Sequence, residues 1–304
     1  MIDAIVIVTY KHGYFLSRLC VASIRYFYPN IDIYLVKDCL NGSFDSAELE
    51  RAFNVKVLDL GISKFGWSAA KVHLMFAEQF RGRKVLSLDN DIIFAGRFLE
   101  ALSETAEQFD FVVDPDFQVD PRGAAVKRHY YDYDKVLEFD PAFQYPGYVF
   151  NGGQMVITPG LLDKNKLKCV FDLDAFPFYN KLDVFYQYDQ SLLNYFLPRQ
   201  AQDGAIRLGT FPMMRWSDGE EVKSLSLDRL KEGKDYQFLI HYAGVLRVTD
   251  LSKMTRSDIL LFFEDYYYDH VPSGAFKKQY QRALAKGDFH LRKAYRKYVK
   301  PLIS

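Results

Sequence analysis

Residues 4–9, Ala-Ile-Val-Ile-Val-Thr, form an apolar, largely β-branched run with no polar alternation. Such a run suits a strand buried on both faces of a parallel sheet. It ends in Tyr10-Lys11-His12-Gly13, a polar loop at the strand's carboxyl edge. Over residues 15–28, Leu16, Leu19, Cys20, Ser23, Ile24 and Phe27 recur at intervals of three and four, which predicts a helix packed on that strand. The alternation continues. Residues 31–36 read as a second strand closed by Lys37-Asp38, residues 55–58 as a third, residues 69–80 as a helix carrying Lys71, and residues 84–88 as a fourth strand. An α/β architecture follows, with a sheet that begins parallel and binds ligands at the carboxyl ends of its strands.

The fourth strand brings polar chemistry with it. Leu86-Ser87-Leu88-Asp89-Asn90-Asp91-Ile92-Ile93-Phe94 would be an unbroken apolar strand but for its carboxylates, which are costly to bury unpaired. Strand alternation predicts that Asp89 and Asp91 share one face while Asn90 takes the other. Two convergent carboxylates at a strand end suit a hard divalent cation, and such a cation can hold a diphosphate. The same pair also occurs in solvated turns, so its meaning depends on the rest of the chain.

Three later segments bear on it. Tyr148-Val149-Phe150-Asn151-Gly152-Gly153-Gln154-Met155-Val156-Ile157 places glycines inside a strand pattern, the mark of a bulge or of close ligand approach. Tyr188-Asp189-Gln190-Ser191-Leu192-Leu193-Asn194 sets an acid and an amide at a helix start, where Asp also serves as a cap. Phe238-Leu239-Ile240-His241-Tyr242-Ala243-Gly244 ends a short strand in a histidine. Residues 109–113 and 149–158 read as strands. Residues 114–148, with Pro115, Pro121, Pro141 and Pro146, read as a long irregular excursion over the active face.

The 304 residues, 49% hydrophobic, suffice for one large domain or a domain with an appendage. Zero net charge gives no argument for nucleic acid. Charge is nevertheless segregated: residues 276–304 hold nine Lys or Arg against one acid, Asp288, for +8, which leaves −8 on the remainder. Interleaved aromatic and aliphatic residues make this tail a candidate interfacial helix on an anionic membrane, or a helix covering the acidic body. Cys20, Cys39 and Cys169 lack disulfide or zinc spacing and read as reduced thiols. With no basic leader and no run of about 20 apolar residues, the expectation is a cytoplasmic protein, soluble or peripheral on the inner membrane face.

In order and spacing, the four motifs resemble the donor domain of retaining nucleotide-sugar glycosyltransferases of the glycogenin and bacterial lipopolysaccharide galactosyltransferase type, across residues 1–250. The resemblance implies the GT-A fold, here a catalytic domain over residues 1–255 with a helical basic extension over 256–304. It implies metal ligation by Asp89, Asp91 and His241, with Mn²⁺ or Mg²⁺ as the ion. Asn151, Asp189 and Gln190 would surround the donor sugar. Thr9, Tyr10 and Asp38 would meet the base and ribose, Lys71 or Arg247 the diphosphate, and Asn90, Gly152 and Gly244 would complete the donor site. Arg247 stands where the family usually has Lys, and Gly244-Val245-Leu246-Arg247-Val248 lacks the family's Pro-Trp. Asp189 could act as a nucleophile, or Gln190 as a stabiliser of an oxocarbenium ion, and the sequence leaves both open. The implied reaction moves a hexose, with uridine diphosphate as the expected carrier, to a glycan or lipid-linked acceptor, as in lipopolysaccharide or capsule synthesis. A sugar nucleotidyltransferase and a non-catalytic glycan-binding protein remain as alternatives.

Overall fold

The computed structural model describes residues 1–66, 68–117, 119–245 and 247–295. Its first half alternates as expected: β1 (Ala4–Tyr10), α1 (Tyr14–Phe27), β2 (Ile33–Asp38), α2 (Ala47–Phe53), β3 (Val55–Val57), α3 (Ala69–Leu74), β4 (Val85–Asp89), β5 (Ile92–Phe94) and α4 (Leu99–Gln108). Then come β6 (Phe111–Phe117), α5 (Ala124–His129), α6 (Tyr133–Phe139), β7 (Tyr148–Ile157), α7 (Lys164–Leu167) and α8 (Asp189–Gln202). The chain continues through β8 (Leu208–Thr210), β9 (Met214–Trp216), α9 (Glu220–Lys223), α10 (Leu227–Glu232), β10 (Leu239–His241), α11 (Ser257–Asp269) and α12 (Gly274–Ala294).

Seven strands form the main sheet in the order β3-β2-β1-β4-β7-β6-β8. The first four are mutually parallel, and β7 runs antiparallel between β4 and β6. Alternation along β1 divides the apolar interior. Ile5 and Ile7 face a core shared with α1, α4 and α11, whereas Ala4 and Val6 face one shared with α3 and α8. A second sheet, β5-β10-β9, brings His241 into register with Ile92 on one side and Trp216 on the other.

Three expectations need correction. The strand expected over residues 84–88 is β4, but it ends at Asp89, so Asp91 does not alternate along the same strand: the chain turns at Asn90-Asp91, and β5 joins the other sheet. Asn90 holds that turn by donating from Nδ2 to the Gly13 carbonyl at 2.9 Å, while the Asp91 carbonyl accepts Tyr242 N–H at 3.0 Å. The helix expected over residues 69–80 stops at Leu74, because the Met75 carbonyl is taken by Gly160 N–H and Ala77 is extended. The excursion over residues 114–148 contains the end of β6 and two short helices. Short α2, unanticipated, begins where Ser46 Oγ donates to Glu50 at 2.6 Å.

α11 belongs to the main core, with Phe262 packed edge-on against Tyr26 at 5.3 Å. Along α12, Lys277, Lys278 and Arg282 pair with Glu48, Asp265 and Glu264, so these cations cover the acidic body. Arg296, Lys297 and Lys300 lie outside the described residues.

Arg25, at the end of α1, ties three segments together. Its guanidinium donates to the carbonyls of Phe53, Tyr28, Ile31 and Asn54 while the residue is 8% exposed. Arg25→Met would strand these acceptors, and we expect a loss of about 3 kcal/mol in unfolding free energy by urea titration. A change below about 0.5 kcal/mol, the usual range for surface positions, would show the bonds to be dispensable.

Candidate active site

The carboxyl ends of β1, β2 and β4 open into a cleft of about 430 Å³, within the size range of ligand pockets. Thr9, Tyr10, Asp38, Asp89, Asn90 and Asp91 line it, together with Asn41, Gly66 and Ser68. Several of these groups are already committed to the wall. The Thr9 hydroxyl lies 2.5 Å from Ser17 Oγ, and Asn90 bonds Gly13. Asp38 accepts the amides of Leu40, Phe65 and Gly66 at 2.9, 3.1 and 2.7 Å, which clamps the loop before α3 onto the end of β2. Tyr10 keeps an exposed ring.

Beneath this wall lies an ion network. Lys71, 2% exposed on α3, puts Nζ 2.7 Å from Asp89 Oδ1 and 3.1 Å from Asp189 Oδ2, and donates to the Gly152 carbonyl at 2.9 Å. Burial opposes its charge, but Asp189 and Asp89 outweigh burial and raise its affinity for a proton. Burial pushes the Asp89 carboxyl up despite Lys71, and pushes Asp189 up to about 6. Burial would raise Asp91 too, but the His241 imidazole, with Nε2 3.2 Å from Asp91 Oδ1, holds it below the ordinary carboxylate value. That contact is not aligned as a hydrogen bond, and Asp91 Oδ1 is buried with no hydrogen-bond partner.

These residues fit a divalent cation. Asp89, Asp91 and His241 each offer a ligand atom within 4.8 Å of the others, slightly wider than the roughly 4.2 Å that two metal–ligand bonds of about 2.1 Å can span. Asp89 and Asp189 share one ammonium, Lys71, and Asp91 faces the His241 imidazole, so three carboxylates gather around a single lysine. Gly153 keeps the space open: a Cβ there would stand 2.6 Å from Asn151 Oδ1, 3.0 Å from Asp89 Oδ2 and 3.3 Å from His241 Cε1.

The glycine segment of β7 is indeed a bulge. Val113 pairs with Met155 and Pro115 with Phe150, so residues 151–154 stand opposite Asp114 alone. Its free backbone groups are taken by side chains of α8 and α3. Gly152 N–H donates to Gln190 Oε1 at 2.7 Å, and its carbonyl accepts Lys71. Asn151 Oδ1 accepts Gly153 N–H at 2.7 Å. Asp189 does not act as the cap of α8: Tyr188 occupies that position with φ 52° and ψ −124°, a strained conformation for a bulky residue, and the Asp189 carboxylate turns to Lys71. The end of α5 and the residue after it brace this corner, with Gln187 donating to the Arg128 carbonyl at 2.9 Å and Ser191 bonding the Tyr130 carbonyl.

Gly244 and Arg247 are absent from the described lining of the cleft, and Arg247 makes no ion pair with a described residue. Trp216 gains importance. Its ring stacks on His241 at 4.8 Å and 19° while 46% exposed, a contact its position near the motifs did not specify. Tyr130 also joins the site, its carbonyl bonded by the Ser191 hydroxyl one residue beyond Gln190. Neither carries a motif of its own.

No family model matches the chain, and no curated protein matches it at a significant level. Solved structures do. The apo structure of WbbM, a bifunctional glycosyltransferase, is similar at TM-score 0.55 and 14% identity, over 92% of this chain and 52% of WbbM. The galactosyltransferase LgtC, in complex with donor and acceptor sugar analogues, is similar at TM-score 0.52 and 16% identity, over 87% of this chain and 95% of LgtC. The fold is GT-A. Apo GlyE of Streptococcus pneumoniae TIGR4, also a glycosyltransferase, has TM-score 0.50 and 12% identity over 94% of this chain and 64% of its own. The chain thus spans about half the length of WbbM and somewhat under two thirds of GlyE.

Asp114, opposite the bulge, is buried and bonded by Gln154 Nε2 at 3.3 Å, and burial pushes its carboxyl up to about 7. The folded protein therefore keeps a proton that the unfolded chain has lost near pH 4, and the associated stability declines as pH rises from about 4 to 7. Asp114→Asn has no such proton to lose. Relative to the parent, the variant should gain stability between pH 5 and pH 8 in denaturant titrations, whereas a pH-independent difference would contradict the assignment.

Proposed function

We propose that this chain is a metal-dependent glycosyltransferase that moves a hexose from a nucleotide-diphosphate sugar, with uridine diphosphate as carrier, to a glycan or lipid-linked acceptor. The observation that carries the reading is the convergence of Asp89, Asp91 and His241 beside a cleft at the carboxyl edge of a GT-A sheet. A Mn²⁺ or Mg²⁺ ion held by these three residues would neutralise the leaving diphosphate. We assign the base and ribose to the Tyr10 and Asp38 side of the cleft, and the transfer chemistry to residues 1–255.

The protein groups then divide the remaining work. Lys71 contacts Asp89 and Asp189 beneath the cleft wall, so its charge acts through those carboxylates. We assign the diphosphate to the metal, with Arg247, which lies outside the described lining of the cleft, as the further cation whose guanidinium suits phosphate oxygens. Asp189 and Gln190 meet at the β7 bulge and are assigned to the sugar with Asn151. A carboxylate already balanced by an ammonium is a weakened nucleophile, so the pair is inferred to stabilise positive charge at the anomeric carbon rather than to attack it. The acceptor proton would pass to the leaving phosphate oxygen on the same face, giving retention. Contact with an anionic membrane surface through the C-terminal helix belongs to the same reading, and no helix among the described residues is long and apolar enough to cross a membrane.

Asp91→Asn removes one ligand charge with little change in volume. We expect it to abolish Mn²⁺-dependent release of nucleoside diphosphate from a panel of nucleotide sugars while leaving the melting temperature near the parent's, and parental turnover would refute the ligand set. Asp189→Ala and Gln190→Ala should each lower kcat at least about tenfold with a smaller change in donor KM, as for groups that act in the transition state. Inversion of the anomeric centre, read by NMR of the product, would remove the retaining mechanism. Pyrophosphate release from nucleoside triphosphate and sugar phosphate would instead assign the chain to nucleotidyl transfer.

A further inference from the structure

A second cavity, about 320 Å³, lies between the 3₁₀ turn Val248–Lys253 and helices α11 and α12. It shares no lining residue with the cleft. Val248, Leu251, Leu261 and Phe289 supply apolar walls, while Lys253, Arg282 and Lys286 supply three cations. Donors are in surplus here. Lys286 has no ion pair with a described residue, and the buried Thr249 hydroxyl, also in the lining, has no hydrogen-bond partner. Lys253 pairs with the partly exposed Asp250 at 2.9 Å, and Arg282 shares Glu264 with Lys278. A small void bounded by the same Val248 and Leu251 is lined by Arg18, whose buried Nε has no acceptor.

The outer face of α12 adds a second observation. Phe276, Tyr280, Leu284, Leu291 and Tyr295 are 69, 55, 55, 73 and 48% exposed. At about 100° per residue they fall on one stripe, and Lys286 lies on the flank between that stripe and the cavity. An exposed apolar stripe beside a cationic, apolar-walled cavity matches the two-part chemistry of a phospholipid surface.

We propose that this cavity is a headgroup site that takes the phosphate of an anionic phospholipid while the stripe on α12 rests in the acyl boundary. Lys286, Lys253 and Arg282 hold the phosphate oxygens, and the Thr249 hydroxyl donates to one of them. Leu261 and Phe289 meet the glycerol and the first methylenes. One weak anchor gives only marginal membrane binding, so stripe and headgroup site act together. This deepens the membrane contact of the functional reading and is independent of sugar transfer, since none of its residues touches the metal site.

The test is co-sedimentation of the full chain with phosphatidylcholine vesicles, with and without phosphatidylglycerol. Lys253→Gln/Lys286→Gln is compared with Arg292→Gln/Lys293→Gln, which removes the same charge from α12 outside the cavity. Each Lys or Arg near an anionic surface contributes comparably to nonspecific attraction, so a general electrostatic mode predicts equal losses. The headgroup site predicts binding to phosphatidylglycerol vesicles that the cavity pair weakens at least about tenfold more than the control pair, a margin beyond that nonspecific contribution, with unchanged melting temperatures. Glycerol 3-phosphate should displace the parent from those vesicles. Equal losses, or no vesicle binding by the parent, overturn the proposal. Saturable binding of inorganic phosphate without vesicle binding assigns the cavity to a free phosphate and also overturns it, as does a dimer in sedimentation equilibrium that Leu284→Gln dissolves while vesicle binding is absent. Loss of vesicle binding with intact donor turnover separates failure here from failure of the transferase reading.

Discussion

The buried ammonium of Lys71 is the contact on which the arrangement of the site depends. It draws Asp89 from the end of β4, Asp189 from the start of α8 and the Gly152 carbonyl from β7 onto one short helix. Removing one partner from such a cluster typically costs about 3–5 kcal/mol, because the remaining charges stay buried and uncompensated. Lys71 therefore fixes the geometry of two carboxylates at once, while leaving the assembly short of positive charge. That deficit is what a cation and the α8 amide network can use.

Two local departures from regular structure make the cluster possible. The turn at Asn90-Asp91 ends β4 and hands the chain to a second sheet, whose β10 strand delivers His241 beside Asp91. The bulge in β7 frees Gly152 N–H and carbonyl from the ladder and directs them to Gln190 and Lys71. Had either strand continued regularly, those backbone groups would have been consumed in sheet pairing. The positive φ at Tyr188 fits the same pattern, a strained residue held by surrounding contacts immediately before the site carboxylate.

The C-terminal helices use two kinds of attachment. α11 is built into the apolar interior, whereas α12 is held largely by ion pairs to Glu48, Glu264 and Asp265. Charge segregation in the sequence thus serves partly to dock the tail on the body. It leaves one apolar face of α12 without a partner among the described residues, and a cavity where donors outnumber acceptors.

Much of this was legible before the fold was known. Hydrophobic periodicity is local, so β1, α1, β2 and the edge-loop position of Thr9, Tyr10 and Asp38 followed from spacing alone, as did the paired carboxylates at the end of β4. Resemblance of the four motifs pointed to the fold and to His241. Spacing led to convergent Asp89 and Asp91 but could not show that they converge through a turn, since the apolar residues on either side of Asp-Asn-Asp carry no mark of a change of sheet. Nor could it pair Lys71 with Asp189, 118 residues away, or lay Trp216 against His241. Those contacts depend on strand order and on which backbone groups the bulge releases, and a residue's own neighbours in sequence carry no record of either.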